Sequence, residues 1–243
     1  MSKIAIEIKN LNKKYDGVSV VKNLNFKINK GSIIGLLGPN GCGKTTTIGM
    51  MLGLIKPTSG TVFINDQNIE NENNRTKILE KMNFISPYVE LPKKLTVDEN
   101  LKVYGKMYGV NNLQDKILDL MKQLNLLEFK KRKTGELSSG QKNRVSLAKA
   151  LINEPEILFL DEPTASLDPD VGDYIRGYIE NFVSKKGTTV LLASHNMNEV
   201  ERLCNEVMMM KNGSIIDKGT CSDLITKHGR KNLEETFLKI VRE

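Results

Sequence analysis

Residues 38–46 read Gly-Pro-Asn-Gly-Cys-Gly-Lys-Thr-Thr, and their types and spacing could hold phosphate. Gly38, Gly43, Lys44 and Thr45 fill the fixed places of the pattern G-x-x-x-x-G-K-[ST]. Glycines let the backbone curl so that successive N–H groups aim at phosphate oxygens. A helix beginning at the end of the loop adds unpaired donors and a partial positive charge. Lys44 would reach the β- and γ-phosphates of a nucleoside triphosphate, and the Thr45 hydroxyl would help hold Mg²⁺. The candidate nucleotide contacts are therefore Gly38, Pro39, Asn40, Gly41, Cys42, Gly43, Lys44, Thr45 and Thr46. The Cys42 thiol reads as a space-filler within the loop rather than a nucleophile.

A second group of candidates ends the run Ile157-Leu158-Phe159-Leu160-Asp161-Glu162-Pro163. A buried strand here delivers two carboxylates at its C-terminal end, the edge where open α/β sheets bind ligands. On its own such a strand is an ordinary structural element. With a phosphate loop upstream, Asp161 is placed to bind Mg²⁺ through water. Glu162 is then placed to orient or deprotonate an attacking water. Neighbouring carboxylates with different tasks need different environments, one facing metal and one facing water.

Positioning these groups requires a strand–turn–helix unit. The apolar run 33–37 supplies the strand, and residues 45–54 suit the helix. Further strand signals lie at 4–9, 24–28, 61–64, 157–160, 188–193, 206–210 and 214–218. Strands alternating with helical stretches predict an α/β fold with a parallel sheet. The middle of the chain differs. Val97, Leu101, Tyr104 and Tyr108, then Leu113, Ile117, Leu120, Met121 and Leu124, recur at helical spacing. Residues of about 88–152 thus read as a helical insert within one domain spanning 1–243. Helical stretches near 222–227 and 233–241 close the chain.

Composition narrows the field. Hydrophobic residues make up 39% and charged residues 27%, which suits a globular chain. There is no tryptophan and aromatics are only 5%, so stacking platforms for single-stranded nucleic acid are poorly supplied. The net charge of +7 comes from lysines spread along the whole chain, and no nucleic-acid partner is expected from it. Three cysteines, Cys42, Cys204 and Cys221, lack metal-like spacing and fit a reducing cytosol. The first residues lack a signal-peptide h-region. No apolar run approaches the ~18 residues of a membrane span, so any membrane role must come through a partner.

Leu137-Ser138-Ser139-Gly140-Gln141 precedes a stretch with Val145, Ala148, Leu151 and Ile152 on one helical face. A serine and a glycine at a helix N-terminus make a second anion site. Alone, the pentapeptide would be an ordinary N-cap. Taken together, the phosphate loop, this pentapeptide, the acidic strand, Ser166-Leu167-Asp168-Pro169 and Ala193-Ser194-His195 resemble the ATP-binding-cassette (ABC) ATPases in order and spacing. These are the nucleotide-binding subunits of ABC transporters, and the resemblance covers essentially the whole chain. It implies a P-loop NTPase with a RecA-like core, an antiparallel β subdomain and a helical subdomain, using ATP and Mg²⁺. It also implies a head-to-tail dimer, with itself or a similar subunit, in which each ATP lies between one phosphate loop and the other subunit's signature. Ser138, Ser139, Gly140 and Gln141 would then face the partner's ATP. By the same resemblance Tyr15 stacks on adenine, His195 is a switch histidine bonded to the γ-phosphate, and Asp168 belongs to a loop crossing the dimer. A capping role for Asp168, before a helix starting near Pro169, is compatible with that.

Two departures stand out. Ser139 replaces the usual second glycine of the signature. Where the family carries a glutamine near Mg²⁺ and the attacking water, ungapped alignment puts Pro87, which has no side-chain donor or ligand. Either Glu90 or Ser86 substitutes, or the metal shell relies on water. The tail at 233–242 and the stretch 194–204 resemble bacterial ABC-2-type exporters. That implies an ATPase on the cytoplasmic face of the cell membrane, docked on a separate integral-membrane permease. A non-transport cassette ATPase, a weakly hydrolysing regulatory module and an importer subunit are the competing readings.

Overall fold

A computed structural model describes residues 3–86, 90–164 and 167–242. The elements run β1 (Ile4–Tyr15), β2 (Val18–Asn29), β3 (Ile33–Leu37), α1 (Lys44–Met51), β4 (Ser59–Ile64), β5 (Gln67–Asn68), α2 (Glu72–Leu79) and β6 (Met82–Ile85). Then come α3 (Val97–Met107), α4 (Leu113–Gln123), α5 (Ser139–Leu151), β7 (Ile157–Asp161), α6 (Pro169–Lys186), β8 (Thr189–Ala193), α7 (Met197–Leu203), β9 (Glu206–Lys211), β10 (Ser214–Gly219), α8 (Cys221–His228) and α9 (Leu233–Arg242).

Two sheets result. The larger has the order β10-β9-β3-β8-β7-β6, with β9, β3, β8, β7 and β6 mutually parallel and β10 antiparallel at one edge. Every residue of β3, β7 and β8 is buried, which is why each reads as a continuous apolar run. The second sheet, β2-β1-β4-β5, is antiparallel. Its inner face packs with α1 and one face of the large sheet, through Ile6, Ile8, Phe26, Met50 and Phe159 among others. On the opposite face α3, α4, α5 and α6 share a core that includes Leu101, Ile117, Val145, Leu158 and Ile179. A third cluster joins Val207 and Met209 of β9 to α7, α8 and α9. Among the described residues, no helix is long and apolar enough to cross a membrane.

The differences from expectation have local causes. The first strand runs on to Tyr15 because pairing with β2 continues across register shifts, one near Asn10 at φ 47°. Helix α1 ends at Met51, three residues early, because Gly53 turns left-handed and the N–H groups of Leu54 and Ile55 fold back on the Gly49 carbonyl. Strand β6 was not anticipated: four residues around a buried Asn83 show no alternation, and pairing with β7 makes the strand.

Candidate nucleotide-binding site

Strand β3 ends at Leu37 inside the sheet, and the chain must turn at once. A Cβ at Gly38 would stand 2.4 Å from the Met210 carbonyl oxygen and 2.5 Å from Cys42 Sγ, so only glycine fits. Gly43 sits at φ 108° and starts α1 with no side-chain cap, which leaves the first N–H groups of the helix for another acceptor. Lys44 is 9% exposed, and its Nζ donates to the carbonyls of Gly38 at 2.6 Å and Pro39 at 3.2 Å. Cys42 is buried, and burial pushes its thiol pKa up, as suits a packing residue.

A cleft of about 370 Å³ opens over this turn, lined by Val20, Asn40, Gly41, Gly43, Lys44, Thr45, Thr46, Asp161 and Glu162. Loop and acids meet because β8 alone separates β3 from β7. The Thr45 hydroxyl lies 3.5 Å from Asp161 Oδ2. The Ser86 side chain, at the end of β6, also hydrogen-bonds Asp161. Burial and then the neighbouring Glu162 charge push the Asp161 carboxyl up, and Lys44 pulls it back. A buried, destabilised carboxylate beside two hydroxyls is a set of hard oxygen donors, and it fits a divalent cation such as Mg²⁺.

Glu162 breaks from the strand. It sits at φ 53°, left-handed for a non-glycine residue, while its N–H donates to the Ala193 carbonyl at 2.8 Å. Beyond this left-handed turn, His195 Nδ1 lies 2.6 Å from Glu162 Oε1. Below this pair, the buried Glu199 accepts from Thr164 Oγ1 at 2.7 Å and from the Ser194 side chain. Ser194 in turn accepts from the Asn196 N–H at 3.1 Å. This support under His195 had no signal in sequence beyond ordinary polar residues after a strand.

The remaining candidates lie apart. Ser138, Ser139, Gly140 and Gln141 do not line the cleft of their own chain. Ser138 N-caps α5 in a capping box, accepting from the Gln141 N–H at 3.2 Å while its own N–H donates to Gln141 Oε1 at 3.0 Å. Tyr15 ends β1 with 44% exposure, and Lys13 Nζ lies 4.7 Å from its ring centre. Asp168 is the N-cap residue of α6, as expected, with Pro169 opening the helix and the Asp168 carbonyl accepting from the Gly172 N–H at 2.8 Å; its exposed side chain makes no capping bond. Of the two substitutes for the family glutamine, Ser86 reaches Asp161, whereas Glu90 is exposed and pairs with Lys93 at 2.7 Å. Pro87 and Ser166 lie outside the described residues.

Residues 21–165 match the family model for the ABC transporter. The linearmycin resistance ATP-binding protein LnrL of Bacillus subtilis is 34% identical over 247 residues, covering 98% of this chain and 78% of the relative. The Nod factor export ATP-binding protein I of Burkholderia orbicola is 36% identical over 231 residues, covering 93% and 74%. A solved structure of the ATP-binding cassette MJ0796, a dimer in a post-hydrolysis state bound to ADP and Pi, superposes with a TM-score of 0.83 at 28% identity. It covers 88% of this chain and 98% of that one.

Proposed function

The chain belongs to the ATP-binding subunits of the ABC transporter family, and from that premise we propose that it drives export through a separate integral-membrane permease. It binds ATP and hydrolyses it. The carrying observation is the juxtaposition of the phosphate loop with Asp161, Glu162 and His195 around one cleft. The resistance and export relatives favour the outward direction.

In the mechanism, the Lys44 amine leaves the Gly38 and Pro39 carbonyls for β- and γ-phosphate oxygens. Those carbonyls hold it in reach beforehand, so little ordering remains to be done on binding. Thr45 and Asp161 would hold Mg²⁺, with the Ser86 hydroxyl beside them where the family's glutamine is missing. When bound, the metal neutralises charge building on the transferred phosphoryl group. Glu162 takes the proton of the attacking water. With a proton on each ring nitrogen, His195 would donate Nδ1–H to that carboxylate, keeping it oriented, and Nε2–H to the γ-phosphate. Tyr15 offers an exposed ring for the adenine.

The second half of the site comes from another subunit, arranged head to tail. Ser138, Ser139, Gly140 and Gln141 sit at an exposed helix start and would face the partner's γ-phosphate. Asp168 would cross the same interface. ATP closes the dimer, hydrolysis reopens it, and the permease on the membrane converts that cycle to transport, with this subunit on the cytoplasmic face.

Glu162→Gln tests the assignment. The variant should bind ATP like the wild type, lose about 10²–10⁴-fold in phosphate release, and elute as an ATP-dependent dimer. Wild-type turnover would remove Glu162 from the role. Tagged Glu162→Gln protein purified with ATP from detergent-solubilised membranes should carry a polytopic membrane protein in stoichiometric amount. Recovery of ribosomal or DNA-associated proteins instead would overturn the export reading and leave the ATP site intact.

A further inference from the structure

Lys149 is 8% exposed, lies in α5 about three turns from Ser138, and does not line the nucleotide cleft. Among the described residues no carboxylate pairs with its ammonium. Nζ donates instead to Asn83 Oδ1 at 3.3 Å and the Phe84 carbonyl at 3.1 Å. It also lies 4.7 Å from the Phe84 ring centre and 5.4 Å from that of Tyr104 in α3. Asn83, itself buried, returns a bond from Nδ2 to the Lys149 carbonyl at 3.3 Å. Burial pushes the lysine pKa down to about 8. A methionine would fill the volume without that desolvation, so the cation's value here lies in the geometry it holds.

That geometry joins two halves of the reaction. Asn83 and Phe84 belong to β6, and two residues on, Ser86 touches Asp161. Downstream, residues 92–95 are tied to the turn that leads into Ser138. Thr134 N–H donates to the Leu95 carbonyl at 2.9 Å, Thr134 Oγ1 to Pro92 O at 2.8 Å, and Gly135 N–H to Lys93 O at 3.0 Å. Residues 83–84 and residues 92–95 are thus both fastened to the body that carries Ser138. One fastening is Lys149, and the other is the turn at Thr134.

We propose that Lys149 is a positioning residue: it locks α5 to β6, so that Ser138 moves with the Ser86–Asp161 side of the site when nucleotide binds. The proposal rests on the dimeric ATPase reading above. Lys149→Met and Lys149→Arg are compared with the wild type in ATP affinity, by titration with a fluorescent ATP analogue, and in steady-state phosphate release. Lys149→Met should bind ATP within about 2-fold of wild type yet lose about 10-fold or more in kcat, and Lys149→Arg should recover kcat to within about 3-fold. In a Glu162→Gln background, Lys149→Met should weaken ATP-driven dimerisation by a similar factor. Unchanged kcat in Lys149→Met, a matching loss of ATP affinity, or a folded Lys149→Arg as slow as Lys149→Met would overturn the proposal. Should Lys149→Met fail to fold, Asn83→Ser removes one acceptor of the ammonium. Slower turnover at unchanged ATP affinity then supports the proposal, and unchanged turnover overturns it. Absence of turnover in the wild type and of ATP-driven dimers in Glu162→Gln would instead indict the functional reading.

Discussion

Asp161 and Glu162 are adjacent in the chain and chemically alike, yet a single left-handed residue gives them different surroundings. Asp161 stays buried among Thr45, Ser86 and Lys44, while Glu162 turns toward His195 and water. Glu199 beneath them is held for a different reason. Burial pushes its carboxyl up, against the pull of the Ser194 and Thr164 hydroxyls. Folding therefore favours the protonated form. The stability this contributes is complete at low pH and is lost as pH rises through the raised pKa. Glu199→Gln keeps an acceptor for Thr164 and removes the charge. Its melting temperature should match wild type near pH 4 and exceed it at pH 8 by about 2–4 °C, corresponding to about 1 kcal/mol. A wild-type advantage at pH 8 would show that the ionised carboxylate is required there. None of this was legible in the sequence, because Glu199 looks like any helix-face acid until its burial is known.

At the scale of elements, α5 does two jobs with one hydroxyl. Ser138 caps its own helix through Gln141, and in the proposed dimer it also meets the partner's phosphate. Substitution separates the two. Ser138→Ala should lose about 1 kcal/mol in denaturant unfolding of the nucleotide-free chain as well as turnover. Ser138→Asp should regain that stability, since aspartate is a good N-cap and suits the helix dipole. It should remain inactive, because a carboxylate would then oppose the γ-phosphate. An active Ser138→Asp enzyme would mean that the hydroxyl serves only its own helix. The helix start was readable from Ser138 as an N-cap before an apolar helical face, whereas α2 and β6 were not. Their residues carry little apolar periodicity, and neighbours decide their state.

Across the whole molecule, binding energy and stability are linked. ATP with Mg²⁺ at about 100 times Kd should stabilise the Glu162→Gln chain by about 2.7 kcal/mol, or roughly 5–10 °C in melting temperature. Excess chelator should remove part of that shift, and a shift indifferent to chelator would count against metal binding at Thr45 and Asp161.

The sequence by itself determined the parts that repeat a local chemical rule. Residues 38–46 must turn and bind phosphate because glycines and a helix start leave N–H groups facing one point. The all-buried strands β3, β7 and β8 announced a parallel core because both faces are covered. Only the tertiary structure decided what meets across long separations. Strand order puts Thr45 beside Asp161, brings Ser86 rather than Glu90 to that acid, and buries Lys149 between β6 and α3. Those contacts depend on the register and packing of elements far apart in the chain, which no short window of residues encodes.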